Sequence, residues 1–194
     1  MDKRFLAAFI DPAPFELLGR SLYPWCLKYR VRLTAFNSPL IDGHREVTPA
    51  DLLFACQVCA EEPLGGPLGW KDKLRLGRLN DNPAKFELLL RAFAGYVLVD
   101  DWPKFWEQSK AKSGSGTKGV PWPLAIVANL IASGIPEKRA WEMPECQAIW
   151  YNSAFAISKG AEVSIMSPDE EAYIEEQTKK IEEQVAKSAE VKTP

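Results

Sequence analysis

One histidine, His44, serves a chain of 194 residues. A metal or acid–base centre built from several imidazoles is therefore excluded. Long apolar runs are also missing. Nowhere do about 18 apolar residues follow one another without charge, so no membrane-spanning helix is expected and no membrane partner. The start, MDKRFLAAFID, is apolar only from Phe5 to Ile10, and Asp11 closes the run. That is shorter than the apolar region of a secretory signal, so the reading is an intracellular, cytoplasmic protein. Cysteine is sparse at four residues (Cys26, Cys56, Cys59 and Cys146), in keeping with that compartment. Basic excess is missing too. The net charge is −2, so neutralising a phosphate backbone is not the chain's business, and no nucleic-acid partner is expected. Strand-rich segments and internal repeats with a clean period are likewise absent.

What remains is a chain of helices punctuated by proline and glycine. The segment 1–13 reads as a loosely ordered leader. Phe15 to Trp25 fits a short β-hairpin turning at Gly19-Arg20, with Pro24 ending its second strand. From Pro24 to Phe36 the positions of Leu27, Tyr29, Val31 and Leu33 predict a helix, stopped by Asn37-Ser38-Pro39. Thr48-Pro49-Ala50-Asp51 is a helix start: a hydroxyl cap, proline in the first turn and an acid at the positive end of the dipole. The helix it opens is apolar on nearly every side through Ala60 and is predicted to be central and buried. Pro63 and Gly65-Gly66-Pro67 end it. An amphipathic segment follows from Trp70 to Leu79. Asn82-Pro83 then starts a long helix through Phe86, Leu89, Phe93 and Val97, and Asp101-Trp102-Pro103 breaks the chain.

Lys110 to Gly119, KAKSGSGTKG, has the composition of a linker. It divides the chain into a helical domain over 1–108, a flexible connection over 109–120, a helical subdomain over 121–166 and a polar helix or tail over 167–194. The second part opens at Pro121-Trp122-Pro123 and runs through Leu124, Ile126, Val127, Leu130 and Ile131 to Gly134. A helix pair follows between Pro136 and Gly160. Ser167-Pro168-Asp169-Glu170 is a capping box. The helix after it, Ala172 to about Ala189, has a thin stripe of Ala172, Tyr173, Ile174, Ile181 and Val185 and is expected to project or fray. The tail holds eight acidic and four basic residues, so the first 166 residues carry 20 basic against 18 acidic ones. The class is mainly α, with a projecting C-terminal helix.

No motif carries catalytic chemistry. Cys56-x-x-Cys59 has redox spacing, but it lies eight and eleven residues beyond the cap Thr48 and not at a helix start, where a thiol would be activated. It reads as core packing. Zinc would need two further ligands, and Cys26 and Cys146 are isolated. His44 sits in a loop without a paired nucleophile signal. Gly65-Gly66-Pro67-Leu68-Gly69 is not followed by the Lys-Ser/Thr of a phosphate loop. Adjacent carboxylates such as Asp100-Asp101 and Glu170-Glu171 point about 100° apart on a helix and share no substrate. Neither a cofactor nor a metal is expected, and the chain reads as a non-enzyme.

Five of the seven tryptophans (Trp102, Trp106, Trp122, Trp141 and Trp150) fall in the second half. Most belong in a core. Trp141 and Trp150 flank the break at Met143-Pro144, which is expected to turn both toward a groove. Trp141, Met143, Trp150 and Tyr151 are the candidate partner-binding residues.

Two stretches carry a resemblance. The first runs from Leu17-Leu18-Gly19-Arg20-Ser21-Leu22-Tyr23-Pro24-Trp25 through Asn37-Ser38-Pro39-Leu40 to Thr48-Pro49-Ala50-Asp51-Leu52-Leu53-Phe54-Ala55-Cys56-Gln57-Val58-Cys59. The second is Trp141-Glu142-Met143-Pro144 with Ala148-Ile149-Trp150-Tyr151 and Gly160. Their arrangement resembles the small, mostly helical tail assembly chaperones of tailed bacteriophages and prophages. The linker and the polar C-terminal helix extend beyond compact members of that family. The resemblance implies a protein of the bacterial host cytoplasm that coats the apolar helices of the tape measure protein, helps tail tube subunits gather, and is open to self-association. Two alternatives stand beside it: a structural virion protein of the tail or head–tail joint, and a small cysteine-dependent enzyme using Cys56 or Cys59. A nucleic-acid-binding regulator ranks below both.

Overall fold

The computed structural model describes residues 3–10, 15–98, 102–105, 119–161 and 164–190, apart from the side chains of residues 168 and 183–190. Among these residues the chain forms ten helices and one antiparallel hairpin. The order is α1 (Lys3–Phe9), β1 (Phe15–Leu17), β2 (Arg20–Leu22), α2 (Leu27–Ala35), α3 (Pro39–Asp42), α4 (Pro49–Cys59), α5 (Trp70–Asn80) and α6 (Pro83–Val97). After the segment 106–118 come α7 (Trp122–Ala132), α8 (Glu137–Glu142), α9 (Glu145–Ser158) and α10 (Pro168–Glu190). The mainly helical class and the hairpin match the sequence reading.

The hairpin pairs Phe15 with Leu22 and Leu17 with Arg20. Its turn is Leu18-Gly19, at φ 52° and 65°. Two successive positive φ values give the mirror-image turn that suits the strand twist. Gly19 also makes room: a Cβ there would lie 2.3 Å from Nη2 of Arg75. The turn falls one residue before the expected Gly19-Arg20 because Arg20 belongs to β2 and carries a buried ion cluster. Its Nη2 donates to Asp72 at 2.8 Å and its Nε to Glu62 at 3.0 Å, while Arg75 donates to Asp72 at 2.9 Å.

The first apolar cluster lies between the hairpin, α2, α4 and α6. Leu17, Leu22, Trp25, Tyr29, Leu33, Leu52, Cys56, Cys59 and Phe93 meet in it. As expected, α4 is its centre, with Leu52, Ala55, Cys56 and Cys59 wholly buried. Its cap is the predicted one. Asp51 N–H donates to Thr48 Oγ1 at 3.3 Å, and Thr48 N–H donates back to the Asp51 carboxylate at 2.9 Å. Arg45 clamps the same carboxylate with two bonds, at 2.6 and 2.7 Å.

A second cluster lies between α2, α7, α8 and α9: Leu27, Val127, Leu130, Ala140, Met143 and Ala148. Thus α2 is a wall shared by both clusters, with Tyr29 and Leu33 on one side and Leu27 on the other. The helix begins at Leu27 and not at Pro24, because residues 24–26 are extended and Cys26 bridges to Pro144. Beside that bridge, Glu145 N–H donates to the Trp25 carbonyl at 2.9 Å. Arg30 of α2 then grips the Glu145 carboxylate with Nε and Nη2, both at 2.8 Å. Glu145 is 2% exposed. The residues on the two sides of the expected boundary are therefore in direct contact. Most of the expected linker, 109–120, lies outside the described residues.

Two expectations are revised. The leader contains a helix, α1, whose Phe5 and Phe9 pack on α9. Six consecutive apolar residues were too short a run to signal an amphipathic period. The polar helix α10 starts at Pro168 on the predicted Ser167 cap, with Glu170 N–H to Ser167 Oγ at 3.3 Å and Ser167 N–H to Glu170 at 2.8 Å. Its first turn is tied down, since Glu171 pairs with Arg4 and Lys104. Beyond that turn Tyr173 and Ile181 are 63% and 60% exposed, as a projecting helix requires.

Glu145→Ala leaves Arg30 among apolar rings without its partner. The expected loss is about 3–5 kcal/mol of unfolding free energy, read from urea melts against the unaltered chain. Acid tests the other ion pairs. The Arg45 fork holds the Asp51 carboxyl well below the usual range, while the Lys28 ammonium lowers Glu61 and the Arg20 guanidinium lowers Asp72. A carboxyl depressed in the fold stabilises it fully above the unfolded value of about 4, and that contribution is lost as pH falls toward the folded value. Stability measured by urea titration is thus expected to be flat from about pH 7 to 5 and to fall below about pH 4.5. Asp72→Asn should make that fall shallower.

Candidate functional site

Of the four candidate residues, two are sealed. Met143 is 1% exposed within the second cluster. Trp150 is 8% exposed, with the Phe5 ring edge-on at 5.6 Å. Trp141 is half-buried and packs against the second cluster. Its free edge borders an open cleft with Lys28, Glu137, Lys138 and Glu142. Tyr151 is 37% exposed, with Phe9 edge-on at 5.3 Å and Phe155 stacked at 6.2 Å. The break at Met143-Pro144 does not turn the two indoles into one groove. Its role is to seat the start of α9 on Cys26 and Trp25.

Three of the four thiols are sealed in the core. Cys56 and Cys59 are wholly buried and Cys26 is 1% exposed. Burial pushes the Cys56 thiol up to about 12 and Cys26 up to about 11, and moves Cys59 in the same direction. These groups stay protonated and act as small apolar fillers. His44 is exposed in the bend after α3. Among the described residues no group of three or more histidine, cysteine or acidic side chains is placed to hold a metal ion, and no helix is long and apolar enough to cross a membrane.

The surface feature that stands out is α7, WPLAIVANLIA. Asn129 is its one polar side chain, and it is spoken for: Nδ2 donates to Asn152 of α9 at 2.8 Å, and Oδ1 accepts from Lys159 at 3.1 Å. The buried residues are Pro123, Val127 and Leu130, which face the second cluster. The opposite side is open. Leu124 is 46% exposed and Ile131 41%, and Ala128 and Ala132 are exposed between and beside them. Positions 124, 128 and 131 follow the i, i+4, i+7 spacing of one helical face. The result is an exposed apolar stripe with small residues at its centre.

At the start of the same helix Trp122 is 44% exposed. Trp102 meets it edge-on at 6.4 Å, and the Arg30 guanidinium lies over its ring at 5.3 Å and over that of Trp25 at 5.5 Å. The cation that clamps Glu145 thereby also fixes the indole flanking the stripe. A helix apolar all round reads as buried, so nothing in the sequence marked Leu124 and Ile131 as open. The usable signal was that α7 lacks any polar side of its own.

Searches of protein-family models, curated proteins and solved structures returned no match to this chain.

Thiol reactivity checks this placement. With a disulfide reagent under native conditions, the half-buried Cys146 is expected to react first. Cys26, Cys56 and Cys59 should follow only at the rate of unfolding. Rapid native labelling of Cys56 or Cys59 would contradict the burial and reopen thiol chemistry.

Proposed function

We propose that this protein binds an apolar helical segment of a second polypeptide along the open face of α7, acting as an assembly chaperone. The observation that carries the reading is the uncovered stripe Leu124, Ala128 and Ile131, on a helix with no polar side to turn to water. Such a face gains when covered, at about 25 cal/mol per Å² of apolar surface removed from solvent. Its small central residues suit an incoming helix better than a loop or a sheet edge. Trp122 and Trp102 beside it offer the large, semi-rigid side chains that dominate contact energies.

The tail assembly chaperones that the sequence resembles supply the biological setting: the cytoplasm of an infected or lysogenic bacterium. The cargo there is the tape measure protein, a long helical polypeptide whose apolar surface aggregates when bare. Many weakly bound copies along one filament shield it through avidity, and tail tube subunits then replace them. No bond is made or broken in this scheme.

Co-expression of the chain with a tape measure protein, followed by pull-down, tests the proposal. Leu124→Glu and Ile131→Glu are each expected to reduce capture at least tenfold while leaving the melting temperature within about 2 °C, because surface substitutions rarely move stability much. Unchanged capture in both variants would remove α7 as the contact face. Stoichiometric presence in purified mature tails would favour a structural virion protein.

A further inference from the structure

At seven residues, α1 is too short to hold a helix by itself in water, so its form depends on what it lies against. It lies against α9. Phe5 and Phe9, one turn apart, bring their rings edge-on to Trp150 and Tyr151. Ala8 is the buried residue of the helix. Arg4 anchors one end, donating to Glu171 at 2.9 Å and to the Met166 carbonyl at 2.6 Å. The outer side is open, with Leu6 42% and Ile10 67% exposed.

The seat is underfilled. Beside Ala7 and Ala8 lies a mainly apolar cavity of about 250 Å³, walled by Phe15, Trp25, Tyr96 and Cys146. The cavity is partly open to solvent, so some of its apolar wall is left uncovered. A space edged by two alanines is contact forgone, and a larger side chain would recover it.

We propose that α1 is the resident occupant of a helix-docking seat on α9, exchanged for a helix of a second polypeptide that fills the seat better. The seat specifies its guest. It takes aromatic residues four apart, a basic residue just before the first, and a leucine, methionine or larger side chain where Ala8 stands. The first aromatic meets Trp150, the second meets Tyr151, and the base meets Glu171. Because α1 is tethered, it competes at a high effective concentration, so a guest succeeds only by better filling or by repeated presentation along one chain. A long helical cargo with repeating aromatics has both properties. This inference rests on the reading that the cargo is helical, and it assigns a seat distinct from the open face of α7.

The test uses the full chain and two fluorescein-labelled peptides. One has the sequence of Lys3 to Ile10, and the other carries Ala8→Leu. The protein variant Phe5→Ala/Phe9→Ala loosens α1 without altering α9. Fluorescence anisotropy is expected to show the loosened protein binding the first peptide at least tenfold more tightly than the unaltered chain does. The Ala8→Leu peptide should bind the loosened protein about tenfold more tightly again. Arg4→Ala provides a milder release should the double variant fail to melt cooperatively, with a gain of a fewfold. Equal affinity for loosened and unaltered chains, or no gain from leucine, overturns the proposal. So does an unaltered chain that sediments as a dimer exchanging α1 between copies. Peptide exchange without tape measure capture would keep the seat and remove the chaperone reading. Capture without peptide exchange would do the reverse.

Discussion

A guanidinium from α2 and a carboxylate from α9 meet in two parallel hydrogen bonds, and the placement of both apolar clusters follows from that grip. Glu145 is at the first position of α9, where a negative charge also faces the positive end of the helix dipole. Arg30 reaches it from the helix that walls off one cluster from the other. The paired charge is acceptable in a buried setting because both carboxylate oxygens are used and the guanidinium faces lie over Trp25 and Trp122. With α9 held there, Met143 enters the core and α8 packs back on Leu27.

That joint fixes what is left for the surface. α7 contributes Pro123, Val127 and Leu130 to the second cluster, and this leaves Leu124 and Ile131 outward. On α9 the problem is met differently. Its rings at Trp150 and Tyr151 are covered by α1, a short segment that contacts them by ring edges and leaves a cavity at its side. One apolar face is open and another is lightly covered. Both are presented by helices, and both fit helical guests.

Local signals in the sequence were strong where a residue type has one mechanical use. Thr48, Pro49 and Asp51 announced α4, and Ser167 with Glu170 announced α10, because a cap satisfies backbone groups within four residues of itself. The run from Leu52 to Ala60, apolar but for Gln57, announced burial from nearly every side. The candidate site was legible only in part. Trp141 and Tyr151 do retain exposed surface, but Trp150 and Met143 do not: Trp150 is covered by Phe5 of α1, and Met143 is enclosed by Leu27 of α2 together with Val127, Leu130, Ala140 and Ala148. Arg30 and Glu145 stand 115 positions apart and carry no shared pattern.

By itself, then, the sequence determined the helical class, the caps, the hairpin and the central place of α4, all consequences of short-range hydrogen bonding and of apolar periodicity. Only the tertiary structure decided which apolar faces stay open. Exposure is settled by what remains after the elements have packed. α7 and α4 read alike as apolar helices, yet α4 is enclosed by the hairpin, α2, α5 and α6, whereas α7 meets neighbours on one side and keeps Leu124, Ala128 and Ile131 toward solvent.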